Sequence, residues 1–175
     1  VDITSAINFE VKSTYSITIR ALDDHPTSAQ FGSNTVTVRL LDVNEAPTFS
    51  GQAMVVQENV AETFLVGILP ATDPDSADAG KLVFTNLNPD VPFYVSTTGE
   101  VTVKYINGMG PDYELRNEYS LSVSVKDTGW GGQPILSAGP EQVTVTVKDQ
   151  NDPPTIIMEG LEDLTSGLVW SSVVM

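Results

Sequence analysis

Two stretches of this chain occur twice, in the same order. "NFEVKSTYSITIRALDD" from Asn8 is echoed by "DYELRNEYSLSVSVKDT" from Asp112, 104 residues on. "TVTVRLLDVNEAPT" is echoed by "TVTVKDQNDPPT", with Asp149 standing 107 residues after Asp42. A tandem unit of this period explains both offsets, the small difference falling in the loop between the two strands. It divides the chain into the last part of one repeat (residues 1–41), a linker (42–47), a complete repeat (48–148) and a second linker (149–154). Residues 155–175 then begin a further repeat or another domain.

Inside the repeat the apolar period is two. "YSITIRA", "NTVTVRL", "EYSLSVSV" and "QVTVTV" alternate Val, Ile, Thr and Tyr with polar residues, as a strand with one buried face requires. Gly and Pro punctuate the gaps, as in "NGMGPD" and "DTGWGGQP", and no segment carries a helical period. Strands are expected near 53–58, 64–69, 81–86, 92–96, 100–104, 118–126 and 141–148, with Phe49, Phe64, Phe84 and Tyr119 in the core. The expected fold class is all-β, as tandem seven-stranded Greek-key (Ig-like) β-sandwich repeats.

Composition narrows the partners. Eight Lys and Arg face 23 Asp and Glu, a formal net charge of −15, so nucleic acid and anionic membrane surfaces are poor partners, no nucleic-acid partner is expected, and cations are favoured. With no Cys there is neither a disulfide framework nor a thiolate zinc site. His25 is the single histidine, and no G-x-S-x-G motif accompanies it, so it reads as a loop residue and no enzyme activity is expected. No run of about 18 apolar residues spans a bilayer and no signal peptide opens the chain; the chain begins at Val1 inside what reads as ongoing structure and is expected to be a fragment, so the absence of a targeting segment says nothing of the parent protein. No N-x-S/T sequon is present.

The acidic residues fall at strand ends. Asp42, Asn44 and Glu45 lie in the linker before Pro47, Asp73 and Asp75 flank Pro74 in "ATDPDSADAG", and Asp127 ends a strand. Asp73 and Asp75 can present both carboxylates to one point if Pro74 holds the loop extended. Each motif alone is the composition of a solvated turn. An EF-hand is set aside, because counting from Asp73 its fifth position is Ala77 and its obligatory glycine is Asp78. The donors are all oxygens, which suits a hard cation, and Ca²⁺ with its flexible shell better than Mg²⁺.

Together these residues resemble the cadherin repeat family. The family linker D-x-N-D-N-x-P, or its short form D-x-N-[DE]-x-P, is matched by "DVNEAP" and "DQNDPP". Its "DRE" or "DYE" element is matched by Asp112-Tyr113-Glu114 and, less closely, by Asn8-Phe9-Glu10. The glutamate after its first strand is matched by Glu58, and its A-x-D-x-D-S-G loop by "ATDPDSADAGKLVF". Its Y-x-L-x-V-x-A-x-D strand is matched by "YSLSVSVKD", ending at Asp127. The resemblance covers about residues 8 to 154 and implies a Ca²⁺ cluster at each repeat junction. At the first junction it implies Glu10, Asp42, Asn44, Glu45, Asp73, Asp75 and Asp127, with carbonyls of Val43, Ala46 and a residue near Ala79. At the second it implies Glu58, Asp112, Glu114, Asp149, Asn151 and Asp152, with the Gln150 carbonyl. Asp23 would serve a junction upstream. Asn8 and Ala79 depart from the family pattern, which has Asp and Asn there, and no first-strand glutamate stands at the expected spacing after Pro154.

The resemblance also implies how such a chain works. Two like unit charges about 4 Å apart repel by roughly 1 to 4 kcal/mol between the water and near-surface limits. An ion-free junction should therefore hinge, and Ca²⁺ should stiffen it. The expected role is calcium-dependent, possibly homophilic, cell–cell adhesion, with another cadherin-like or cell-surface protein as partner. The expected location is the extracellular surface, in a parent protein anchored to the plasma membrane outside this sequence. Two other classes compete with it: a glycosidase, whose catalytic pair need not recur at a fixed period, and a non-adhesive spacer or carbohydrate-binding module. Trp130, in "GWGG", reads as a loop residue over the sandwich edge, and Trp170 carries no role.

Overall fold

The computed structural model describes residues 7–154; the expected start of a further unit at 155–175, with Trp170, lies outside the described residues. Eleven strands and no helix occur among them: β1 (Thr14–Leu22), β2 (Phe31–Arg39), β3 (Thr48–Phe49), β4 (Ala53–Gln57), β5 (Leu65–Ile68), β6 (Ala71–Thr72), β7 (Val83–Asn86), β8 (Phe93–Val95), β9 (Glu100–Val103), β10 (Glu118–Lys126) and β11 (Ser137–Lys148).

From β3 onward the strands form a sandwich. One sheet has the order β4-β11-β10-β7 and the other β5-β9-β8, so the seven expected strands are those of the two sheets. The two-residue pair β3–β6 is additional. In β10 and β11 every apolar residue of the alternation points inward: Leu121, Val123, Val143, Val145 and Val147 are all 0% exposed. A fully buried side chain of this size contributes about 1.5–3 kcal/mol relative to leaving it in water. Edge-to-face pairs fix the ends of this core, Phe49 on Phe84 at 5.7 Å and Phe93 on Tyr119 at 5.4 Å.

Two expectations fail. Phe64 is 48% exposed rather than core. It stands in a turn before β5, its amide bound to the Ala61 carbonyl and its neighbour Thr63 at φ +69°, so it falls outside the strand alternation. The β1–β2 hairpin, expected to bury one face, buries neither: Ile17 and Ile19 are 52% and 56% exposed, and Val36 and Val38 are 43% and 39%. These two strands pair only with each other, and no second sheet covers them among the described residues.

Register decides where the acidic residues go. β4 runs parallel to β11, Ala53 against Thr144 through Gln57 against Lys148, so both strands start at one pole and end at the other. β10 runs antiparallel to β11, and β7 antiparallel to β10 with Val83 opposite Lys126. The first linker, the loop before β7 and the end of β10 therefore share the entry pole. Glu58, the segment before β10 and the second linker share the exit pole.

Candidate metal centre

At the entry pole, carboxylate oxygens of Glu10, Glu45 and Asp75 lie within 4.8 Å of one another. They come from three parts of the chain: the segment before β1, the linker, and the loop before β7. Asp75 Oδ2 accepts the Glu45 amide at 2.7 Å, which fastens the linker to that loop, and Asp73 Oδ1 accepts the Asp75 amide at 2.8 Å across Pro74. Asn44 is buried, and its Nδ2 donates to Asp127 Oδ2 at 2.9 Å and to the Pro134 carbonyl at 3.0 Å. Asp127 is buried in turn, its Oδ1 accepting from the Gly129 and Leu136 amides at 3.0 and 2.9 Å.

The charges at this pole act on each other. Partial burial, then the neighbouring charges of Asp75 and Glu10, raise Asp42 above the ordinary carboxylate range. Partial burial, then Glu10 and Asp75, raise Glu45. Asp73 is raised by burial, against the pull of the Asp75 amide, with Asp75, Asp78 and Asp127 adding to the push. The observation that tests these residues as cation ligands is a set of orphaned oxygens: Asp42 Oδ1, Asn44 Oδ1, Glu45 Oε2, Asp73 Oδ2 and Asp75 Oδ1 are each shielded from solvent with no hydrogen-bond partner. Unpaired buried oxygens are costly. An all-oxygen donor set of this kind fits Ca²⁺.

At the exit pole, oxygens of Glu58, Asp112 and Glu114 again lie within 4.8 Å of one another. Glu58 is 1% exposed. Its Oε1 accepts the Gln150 amide and its Oε2 the Tyr113 amide, each at 2.7 Å, so one side chain ties β4 to the second linker and to the segment before β10. Asp112 Oδ1 accepts the Leu115 amide at 2.9 Å, and Asp152 Oδ1 accepts Asn59 Nδ2 at 2.7 Å. The Glu114 carboxyl is pulled down by its own amide, but burial and the charges of Glu58, Asp152 and Asp149 outweigh this and raise it. Asn151 lies exposed in the second linker.

Asp23 is not brought to either pole. Its Oδ1 accepts the His25 and Gln30 amides at 3.2 and 3.0 Å, closing the β1–β2 connection, and it belongs to no acidic cluster among the described residues. His25 lies in the same connection, its Nδ1 accepting the Ser28 amide. The sequence reading missed Asp78, which is 0% exposed at the entry pole. Its Oδ1 accepts the Thr128 amide at 3.2 Å and the Thr128 hydroxyl at 2.6 Å. Only its place in an acid-rich loop could have drawn notice to it.

Fold and poles define a class: an all-β sandwich unit in a tandem arrangement, with carboxylates gathered at both ends. Within that class the chain resembles tandem extracellular cadherin repeats. The structure of protocadherin gammaB7 EC3-6, described as a cis-dimer, is similar at a TM-score of 0.68 and 26% identity, covering 90% of this chain and 38% of that one. Protocadherin gamma B2 extracellular cadherin domains 3–6 match at a TM-score of 0.68 and 24% identity, over 89% of this chain and 38% of that one. Mouse cadherin-23 EC22-24 matches at 0.62 and 22%, over 83% and 46%. The chain thus spans less than half the length of each of these structures. No protein-family model matches it. No helix among the described residues is long and apolar enough to cross a membrane.

Proposed function

We propose that this chain is a calcium-binding, non-enzymatic segment of an extracellular surface protein, whose repeat junctions stiffen on Ca²⁺ binding so that the repeats can act in calcium-dependent adhesion. The observation that carries this reading is the meeting of Glu10, Glu45 and Asp75 beside orphaned buried oxygens of Asn44, Asp73 and Asp75. The ion would be held at the entry pole by Glu10, Asp42, Asn44, Glu45, Asp73, Asp75 and Asp127. At the exit pole it would be held by Glu58, Asp112, Glu114, Asp149, Asn151 and Asp152. When bound, it supplies positive charge that turns mutual repulsion of these carboxylates into shared attraction.

The chain's own residues do the positioning. The Glu45 amide on Asp75 and the Asn44 amide group on Asp127 hold the linker against the sandwich, so only Glu10 and its segment need join from above. We take residues 1–41 as the end of an upstream repeat, 42–47 and 149–154 as linkers, and 48–148 as a whole repeat. The exposed face of β1 supports this: Tyr15, Ile17, Ile19 and Ala21 stand at the same offset from Tyr119, Leu121, Val123 and Val125, which the second sheet covers in the sandwich. For the adhesive role, the support is likeness to protocadherin ectodomains, one of them described as a cis-dimer. An ectodomain of a membrane-anchored protein, meeting another cadherin-like or cell-surface protein, fits that likeness.

Calorimetric titration of Ca²⁺ into EDTA-stripped protein, beside Asp75→Ala, tests the calcium reading. Saturable binding below a few millimolar, in the order-of-magnitude range of extracellular calcium modules at about 10⁻⁴ to 10⁻³ M, and weakened in the variant, is expected. Heat no larger than that of dilution rejects it.

A further inference from the structure

Asn107 is the only asparagine of the chain followed by glycine. The pair forms the tip of the connection from β9 to β10, with Asn107 at φ +52° and Gly108 at φ +82°, the left-handed pair of a type I′ turn. Ile106 N donates to the Met109 carbonyl at 2.8 Å and Met109 N to the Ile106 carbonyl at 3.0 Å, and these two bonds close the tip. The base of the turn is pinned more firmly. The Tyr105 hydroxyl donates to the Val60 carbonyl at 2.9 Å, and a Cβ on Gly110 would stand 2.8 Å from the Tyr105 ring. Asn107, Gly108 and Met109 are exposed, and a Cβ on Gly108 would meet nothing within 4 Å. Among the described residues neither the Asn107 side chain nor the Gly108 amide makes a hydrogen bond. Asn8, Asn44, Asn59, Asn86 and Asn88, by contrast, are each tied by side-chain hydrogen bonds.

We propose that Asn107 is a site of spontaneous deamidation in the folded protein, with water and hydroxide the only co-reactants. Hydroxide takes the Gly108 amide proton, and the nitrogen attacks the Asn107 side-chain carbonyl carbon. The new N–C bond closes a five-membered succinimide, and the side-chain nitrogen takes a proton from water and leaves as ammonia. Water then opens the ring with no change of oxidation state. Breaking the new N–C bond gives Asp, whereas breaking the original peptide bond gives isoaspartate, whose backbone runs through the side-chain carbon. Glycine permits the attack because no side chain shields its nitrogen. Asn107 must rotate out of the left-handed turn to bring the atoms together, and the two tip bonds oppose that rotation. A local opening therefore suffices while β9 and β10 stay formed. The two products differ in effect. Asp keeps a turn that tolerates it and adds a negative charge to the segment before β10, at the exit pole. Isoaspartate inserts a carbon into a two-residue turn and breaks the Ile106–Met109 bridge.

The test uses the full, unaltered chain. Folded protein is held at mildly alkaline pH, well below its melting temperature, beside the same protein unfolded in urea. Peptides spanning Asn107 are followed by mass spectrometry, and released ammonia is measured in parallel. The folded sample should show first-order loss of the Asn107 form, a matching release of ammonia, and a rate in proportion to hydroxide concentration. Both acid products should appear, the unrearranged one identified against Asn107→Asp, while Asn117 stays intact. Amide hydrogen exchange should then quicken at Ile106 and Met109 in the isoaspartyl product and remain slow in β10. Asn107 left intact in the folded chain over the time that converts it in urea would overturn the proposal, since the turn would then protect the pair. Equal loss at Asn117 would overturn it too, because the reaction would then owe nothing to the Asn107–Gly108 turn.

Discussion

At Asp127 both carboxylate oxygens are engaged by the chain itself. Leu136 N reaches Oδ1 and Oδ2, Gly129 N reaches Oδ1, and Asn44 Nδ2 reaches Oδ2. Asp127→Ala should therefore destabilise the ion-free protein by about 1–3 kcal/mol, the cost of leaving such buried donors unpaired, as measured by urea unfolding in EDTA. Proton linkage gives a second prediction at this scale. Asp42, Glu45, Asp73 and Glu114 have raised folded-state pKa values. Their contribution to stability is thus present at low pH and lost as pH rises through the folded values, so removing protons toward neutrality loosens the ion-free poles. Ca²⁺ binding in mildly acidic buffer should release protons, and the release should vanish toward neutral pH; calorimetry in buffers of differing ionisation enthalpy reads both. Asp73 and Asp75 were legible in the sequence through the D-x-D loop. Asp78 was not, because its burial depends on Thr128, fifty residues further along, and no local period marks it.

Among the elements, β10 was readable to the residue, since nine residues of unbroken alternation leave one register that buries Tyr119, Leu121, Val123 and Val125 together. The pair β3–β6 was not, because two residues contain no period. The hairpin β1–β2 shows the other limit: alternation identifies which face needs cover, and nothing in it says whether the cover is present. Leu121→Ala, at a position of 0% exposure, should cost about 2–5 kcal/mol in unfolding free energy. Ile17→Ala in the hairpin should leave the unfolding of the sandwich unchanged. A turn supplies a sharper case. Gly99 has φ +87°, and a Cβ there would stand 2.9 Å from the Phe84 ring and 3.1 Å from the Leu69 carbonyl. Gly99→Ala should lower the melting temperature measurably, although it removes no contact.

For the whole molecule, the two poles make the calcium reading a statement about shape. Small-angle scattering of the chain in EDTA and in saturating Ca²⁺ should show a longer, narrower distribution of interatomic distances with the ion, and Asp75→Ala should retain the EDTA profile at the same Ca²⁺ concentration. The parallel register of β4 on β11 has a further consequence. One linker enters beside the start of β4 and the other leaves beside the end of β11. A tensile load on the two linkers therefore pulls these strands past each other lengthwise, straining the ladder from Ala53 to Gln57 in shear, with all its hydrogen bonds loaded at once. A strand peeled from one end would break them singly. This sandwich thus holds its mechanical fuse in five residues of backbone pairing.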